Sequence, residues 1–102
     1  IFLFTSMFEG LPNVLLEAQC LKKFIISTNC PTGPKEILLN GKAGDIVPIR
    51  DYKKISERIK SYDIKKKSYE KKILLGYRNL DRFDYNYNMQ KYLKVIKKFI
   101  YL

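Results

Sequence analysis

Histidine is absent from the sequence and cysteine is scarce, with Cys20 and Cys30 the two thiols. No CxxC pair and no imidazole accompany them, so the ligand set for a zinc or other soft-metal centre is too small, and no metal is expected. Two isolated thiols read as reduced core residues, which points to the cytoplasm rather than an oxidising compartment. Acidic residues are also few: 10 Asp and Glu stand against 20 Lys and Arg, a net charge of +10. No apolar run approaches the roughly 18 residues that a bilayer span requires. The opening "IFLF" is too short for a signal peptide and lacks its basic flank.

What is present is the composition of one small globular domain. Hydrophobic residues make up 46% and charged residues 29% of 102, which excludes disorder. A chain of this size buries roughly 60–70% of its unfolded surface, so its core is modest. The chain opens directly on a strand-like segment with no turn before it. The expectation is that it continues upstream, because an unpaired strand at that edge would be a liability. The surplus of lysine is spread over Lys53–Lys98. It reads first as solvated helix faces and secondly as a weak attraction to an anionic membrane surface. No RRM, KH or OB signature is present, and no nucleic-acid partner is expected.

Along the chain, residues 1–5 form an apolar run suited to a buried strand. After the loop "SMFEGLP", Pro12 sits where a first helical residue belongs. The pattern "NVLLEAQCLKK" then predicts a helix with Leu11, Val14, Ala18 and Leu21 on one face and Lys22 and Lys23 in the last turn. "FIIST" reads as a second strand. A loop rich in Pro and Gly follows, with a short helix over 35–39 and turn signals at Asn40, Gly41 and Gly44. "DIVPI" reads as a third strand, its Pro48 marking an edge or a strand end. This alternation predicts a parallel α/β arrangement.

Three helices are predicted beyond it. Residues 51–62 align Tyr52, Ile55, Ile59 and Tyr62; residues 64–80 align Tyr69, Ile73, Tyr77 and Leu80. Residues 84–100 align Tyr85, Met89, Tyr92, Leu93, Ile96 and Phe99. Such stripes are expected in a core.

One segment carries chemistry: "EGLPNVLLE", with Glu9 and Glu17 eight residues apart around a strand–loop–helix junction. Gly10 permits close backbone approach, and the free N–H groups around Asn13–Leu15 form a ready site for a diphosphate. The site lies at the carboxyl edge of a parallel sheet, where α/β proteins bind ligands. Asn13 and Glu17, at i and i+4, share a helix flank from which a carboxylate can accept hydroxyl hydrogen bonds from a ribose. Glu9 could accept hydroxyls of a transferred sugar or stabilise charge developing at an anomeric carbon. An E-x7-E spacing alone would read as two surface glutamates; the intervening Gly-Leu-Pro-Asn makes it specific.

The stretch from Thr5 to Asp51, "TSMFEGLPNVLLEAQCLKKFIISTNCPTGPKEILLNGKAGDIVPIRD", resembles the C-terminal domain of GT-B glycosyltransferases of family 4. The resemblance is close over residues 1–60 and loose over 61–102. It implies a partial Rossmann-like parallel sheet, the C-terminal half of a donor-binding domain, over 1–50, followed by C-terminal helices over 51–102. It also implies retaining, metal-free and cofactor-free transfer of a hexose or N-acetylhexosamine from a nucleotide sugar, expected to be UDP-linked. The acceptor would be a bacterial surface glycan or a polyprenyl-linked lipid at the inner face of the cell membrane. Carried onto this sequence, Glu17 would bind the ribose and Glu9 would sit near the donor sugar. The backbone of Gly10, Leu11 and Asn13 would line the diphosphate and sugar, and Ser6 matches a small hydroxyl residue common there. The Arg and Lys that hold the diphosphate in that family, and the N-terminal acceptor domain, lie outside these residues. The 102 residues alone are therefore expected to be inactive.

Two other classes compete for this sequence. A non-catalytic basic module would bind an anionic membrane or RNA through the Lys- and Tyr-rich helices. A phosphoacceptor receiver domain would need clustered Asp at strand ends, whereas Asp45 stands alone before its strand.

Overall fold

A central strand with no exposed residue organises the molecule. In a computed structural model that describes residues 1–100, except for the side chain of Tyr85, strand β2 (Ile25–Thr28) pairs in parallel with β1 (Phe2–Phe4) on one side and β3 (Asp45–Val47) on the other. Phe2 is in register with Ile25, and Ile26 with Asp45. A parallel strand covered on both faces must be apolar throughout or satisfied locally. Ser27 and Thr28 in β2 meet that demand by donating their hydroxyls to backbone carbonyls. Pro48 follows β3, an edge strand of the sheet, where a missing N–H costs no ladder bond.

Helix α1 (Asn13–Cys20) and the short α2 (Pro34–Ile37), followed by a 3-10 turn at Leu39–Gly41, cover one face. There Phe4, Leu15, Ala18, Ile25, Cys30, Ile37 and Leu38 form a buried cluster. Helix α3 (Tyr52–Ile64), capped by the Asp51 carboxylate accepting from the Lys54 amide, and α4 (Lys66–Arg78) cover the other face. Phe24, Ile26 and Val47 pack there against Ile55, Ile59, Tyr62, Tyr69 and Ile73. The rings of Phe24 and Tyr62 stack at 4.9 Å, and Tyr69 tilts against Phe24 at 4.7 Å. The fold is mixed α/β, with a three-stranded parallel sheet followed by C-terminal helices.

Helix α4 also reaches along the amino-terminal edge of the sheet. Lys72 meets Asp45, the first residue of β3, and Gly76 lies under the buried side chain of Gln19, whose amide donates to the Ile37 carbonyl at 3.1 Å. Among the described residues, the carboxyl edge keeps an open cavity over the strand ends.

Several expectations are corrected. Tyr52 and Tyr77, assigned to core stripes of α3 and α4, are 75% and 41% exposed, and Cys20, read as a core thiol, is exposed. The buried face of α1 is Leu15, Ala18 and Gln19, while Leu11, Val14 and Leu21 are 53%, 42% and 70% exposed. The buried face is turned from the periodicity's choice, with Gln19 taken into it through its hydrogen bond to the Ile37 carbonyl. Pro12 is the N-cap in extended conformation rather than the first helical residue, and the helix stops at Cys20. Lys22 and Lys23 lie beyond it in a left-handed closing turn, their amides bonded to the carbonyls of Gln19 and Ala18. Finally, α5 (Tyr85–Ile100) follows Asp84, whose carboxylate accepts from the Tyr87 amide at 2.8 Å. Met89, Tyr92, Leu93, Ile96 and Phe99 are exposed, because among the described residues no element lies over their stripe. The side chain of Tyr85, assigned to the same stripe, lies outside the described residues.

Candidate functional site at the carboxyl edge

Loop 5–12 carries Glu9 from the end of β1 to the start of α1. Its shape is set by short-range polar contacts rather than by burial. Ser6 Oγ donates to Glu9 Oε1 at 3.0 Å, which fixes one carboxylate oxygen of a half-buried side chain. The Thr28 hydroxyl, at the end of β2, donates to the Ser6 carbonyl. From the next loop, the Thr32 hydroxyl donates to the Glu9 carbonyl. Arg50, in a left-handed conformation after β3, brings its Nε to 3.3 Å from the Met7 sulfur.

The space beside Gly10 is open, with nothing within 4 Å of where a Cβ would stand. At the helix start no side chain caps the amides. The Leu15 amide, expected to be free, is taken by the Pro12 carbonyl at 3.0 Å. The amides of Asn13 and Val14, at the first two helical positions, have no acceptor within the helix and are available to an anion. Glu9, Gly10, Leu11 and Asn13 therefore form one contiguous, solvent-facing rim.

Glu17 stands a turn along α1 from Asn13 and is exposed. It lines an open cavity of about 420 Å³ with Ile1, Phe2, Val14, Leu21 and Lys23, beside the free edge of β1. Glu9 does not line that cavity. A second cavity of about 420 Å³ opens over the strand ends, between Thr5, Met7, Thr28, Arg50 and Tyr52.

Behind the loop, burial pushes the Cys30 thiol above its ordinary pKa; a backbone hydrogen bond opposes the shift and the negative charge of Glu9 adds to it. Cys30 is thus a protonated core thiol rather than a nucleophile. Among the described residues no cluster of three or more metal-ligating side chains forms, and no helix is long and apolar enough to cross a membrane.

The sequence pattern did not single out Thr28, Thr32 or Arg50. Pro31 and Gly33 beside Thr32 marked a turn, but spacing gives no sign of which carbonyl a hydroxyl 23 residues away will meet.

Comparison with known proteins bears on this site. Over 37 residues the chain is 57% identical to an uncharacterized glycosyltransferase of Methanocaldococcus jannaschii, covering 36% of this chain and 9% of the relative. Over 59 residues it is 42% identical to the capsular polysaccharide biosynthesis glycosyltransferase CapM of Staphylococcus aureus, covering 58% of this chain and 15% of that protein. The chain thus corresponds to a small part of the length of these relatives. Residues 1–77, which include the sheet, both glutamates and most of α4, match the family described as glycosyl transferases group 1. The chain belongs to that family.

Proposed function

We propose that these residues form part of the donor site of a retaining GT-B glycosyltransferase of family 4. The enzyme would move a hexose or N-acetylhexosamine from a nucleotide sugar, UDP-linked by expectation, to a surface-glycan or polyprenyl-linked acceptor. The observation that carries this reading is the open rim at the carboxyl edge. It offers a carboxylate, Glu9, with one oxygen fixed by Ser6, next to an unobstructed Gly10 and the unshared amides of Asn13 and Val14.

The chemistry follows from that arrangement. The bond from the anomeric carbon to the diphosphate oxygen breaks, and a bond to the acceptor oxygen forms as its hydroxyl proton passes to the departing diphosphate. Positive charge gathers at the sugar and negative charge at the departing diphosphate. A fixed carboxylate serves the first and a helix N-terminus the second, without a metal. Glu17 would accept from the ribose hydroxyls. Its place one turn along α1 from Asn13 would suit a donor with its nucleoside towards Glu17 and its sugar towards Glu9. The rest of the donor pocket and the acceptor site belong to parts of a longer protein. Donor kinetics of Glu17→Ala in the full-length polypeptide test the assignment, and an unchanged KM for donor defeats it.

A peripheral contact with an anionic membrane is a compatible addition, favoured by α5. Its apolar residues Met89, Leu93, Ile96 and Phe99 are exposed; Lys91, Lys94 and Lys98 fall on the opposite arc and Lys97 flanks the apolar stripe. Vesicle co-sedimentation with and without anionic lipid, over a salt series, decides it.

A further inference from the structure

Loop 5–12 is held by a second loop, residues 29–33, through the Thr32 hydroxyl and through the packing of Gly33 against the ring of the buried Pro12. Thr32 is exposed, yet its hydroxyl donates to the Glu9 carbonyl and lies 3.4 Å from the carbonyl of Gly10. Beside it Gly33 adopts φ +96, and a Cβ there would stand 2.3 Å from Pro12 Cδ and 2.8 Å from the Gly10 oxygen. Only glycine satisfies both the left-handed backbone and that approach. One residue supplies the hydrogen bond and the next supplies the room for it.

We infer that Thr32 and Gly33 are positioning residues for the donor loop, clasping the backbone of Glu9–Pro12 so that the Glu9 carboxylate and the Asn13 and Val14 amides face one ligand. The inference rests on the donor-site reading above. Thr32 touches no substrate in this scheme. It acts through the carbonyls it holds, and Thr28 supports the same loop one step earlier through Ser6. A carbonyl so occupied cannot turn towards the space beside Gly10, where it would repel a diphosphate.

The test uses the full-length polypeptide carrying Thr32→Val, Thr32→Ala or Thr32→Ser, with two readouts. The first is the rate of chymotryptic cleavage after Phe8, which is 82% exposed within the clasped loop. The second is the Kd for UDP. Loss of one hydrogen bond is expected to speed cleavage at Phe8 about three- to tenfold and to weaken UDP by a similar factor, with Thr32→Ser restoring both. Unchanged cleavage overturns the clasp. Faster cleavage with unchanged UDP affinity overturns its positioning role, and failure of both Val and Ala variants to fold assigns Thr32 to the fold instead. Wild-type protein that binds no UDP, with cleavage still accelerated in Thr32→Val, leaves the clasp standing and removes the UDP-donor reading beneath it.

Discussion

The ammonium of Lys72 stands 2.6 Å from Oδ1 of Asp45, a carboxylate only 3% exposed at the first residue of β3. Arg58 approaches the other oxygen at 3.6 Å, too far for a hydrogen bond, and Oδ2 has no such partner. One cation from α4 and one from α3 therefore secure the amino edge of the sheet, opposite the open edge that carries the candidate site. Removing one partner of a buried pair leaves an uncompensated charge, which costs more than the pair contributes.

Lys72→Met is accordingly expected to lower stability by about 3 kcal/mol, near the lower end for such a break because Arg58 remains close. The double variant Asp45→Asn/Lys72→Met should recover most of that loss. Urea unfolding midpoints check both, and equal losses in the single and double variants would show that the charge is not what matters.

On the same face, Phe24 is 1% exposed between the rings of Tyr62 and Tyr69, which meet edge-on at 5.7 Å. Phe24→Ala should cost about 3–5 kcal/mol through lost transfer energy and a cavity the two tyrosines cannot fill. Phe24→Leu should cost less. Near-ultraviolet circular dichroism gives an independent check, since freeing Tyr62 and Tyr69 should flatten the tyrosine signal before the helices melt.

The order of strands and helices was legible because each strand is a short apolar run and each helix from α3 onward has a stripe at helical spacing. The pattern reports which residues are apolar, but not what lies opposite them. In α3 and α4 the stripes meet Phe24 and Ile26 through Ile55, Ile59, Tyr62, Tyr69 and Ile73, while Tyr52 and Tyr77 stay exposed; in α5 the same signal leads to exposed Phe99. In α1 the period misled, because a buried glutamine bonded to the Ile37 carbonyl carries no hydrophobic signal. The rim from Glu9 to Asn13 was legible from Gly10, Pro12 and the glutamates flanking them. The contacts that shape it, from Thr28, Thr32 and Arg50, join loops distant in sequence and depend on the finished sheet.

The two thiols should differ in reactivity. Cys20 is exposed at the end of α1, whereas Cys30 is buried and its pKa is raised by that burial. A group with a raised pKa stays protonated as pH climbs through the ordinary thiol range, and only the thiolate attacks. Maleimide at neutral pH should label the Cys20 peptide and spare the Cys30 peptide until denaturant is added. Equal labelling of the two in native protein, mapped by mass spectrometry, would contradict the buried placement of Cys30.

The two glutamates should separate kinetically, because the structure puts them in different surroundings. Glu17 lines a cavity with Val14 and Lys23 that Glu9 does not share. If its carboxylate accepts ribose hydroxyls in ground state and transition state alike, Glu17→Ala removes uniform binding. KM for donor then rises by a factor equivalent to about 1.5–3 kcal/mol, while kcat changes little. Glu9, with Oε1 already committed to Ser6, would in the proposed donor site respond to charge that develops only during transfer. Glu9→Ala should then lower kcat more than it raises KM, and Glu9→Gln should recover part of the fold but little of the rate. Ser6→Ala offers a graded intermediate, leaving the carboxylate present but free to rotate, and should give a smaller loss in kcat than Glu9→Ala. Steady-state kinetics of the full-length polypeptide distinguish the two residues. A wild-type kcat in Glu9→Ala would remove it from the chemistry, and identical KM and kcat effects from both variants would mean that the rim and the Glu17 cavity do not hold separate parts of one donor.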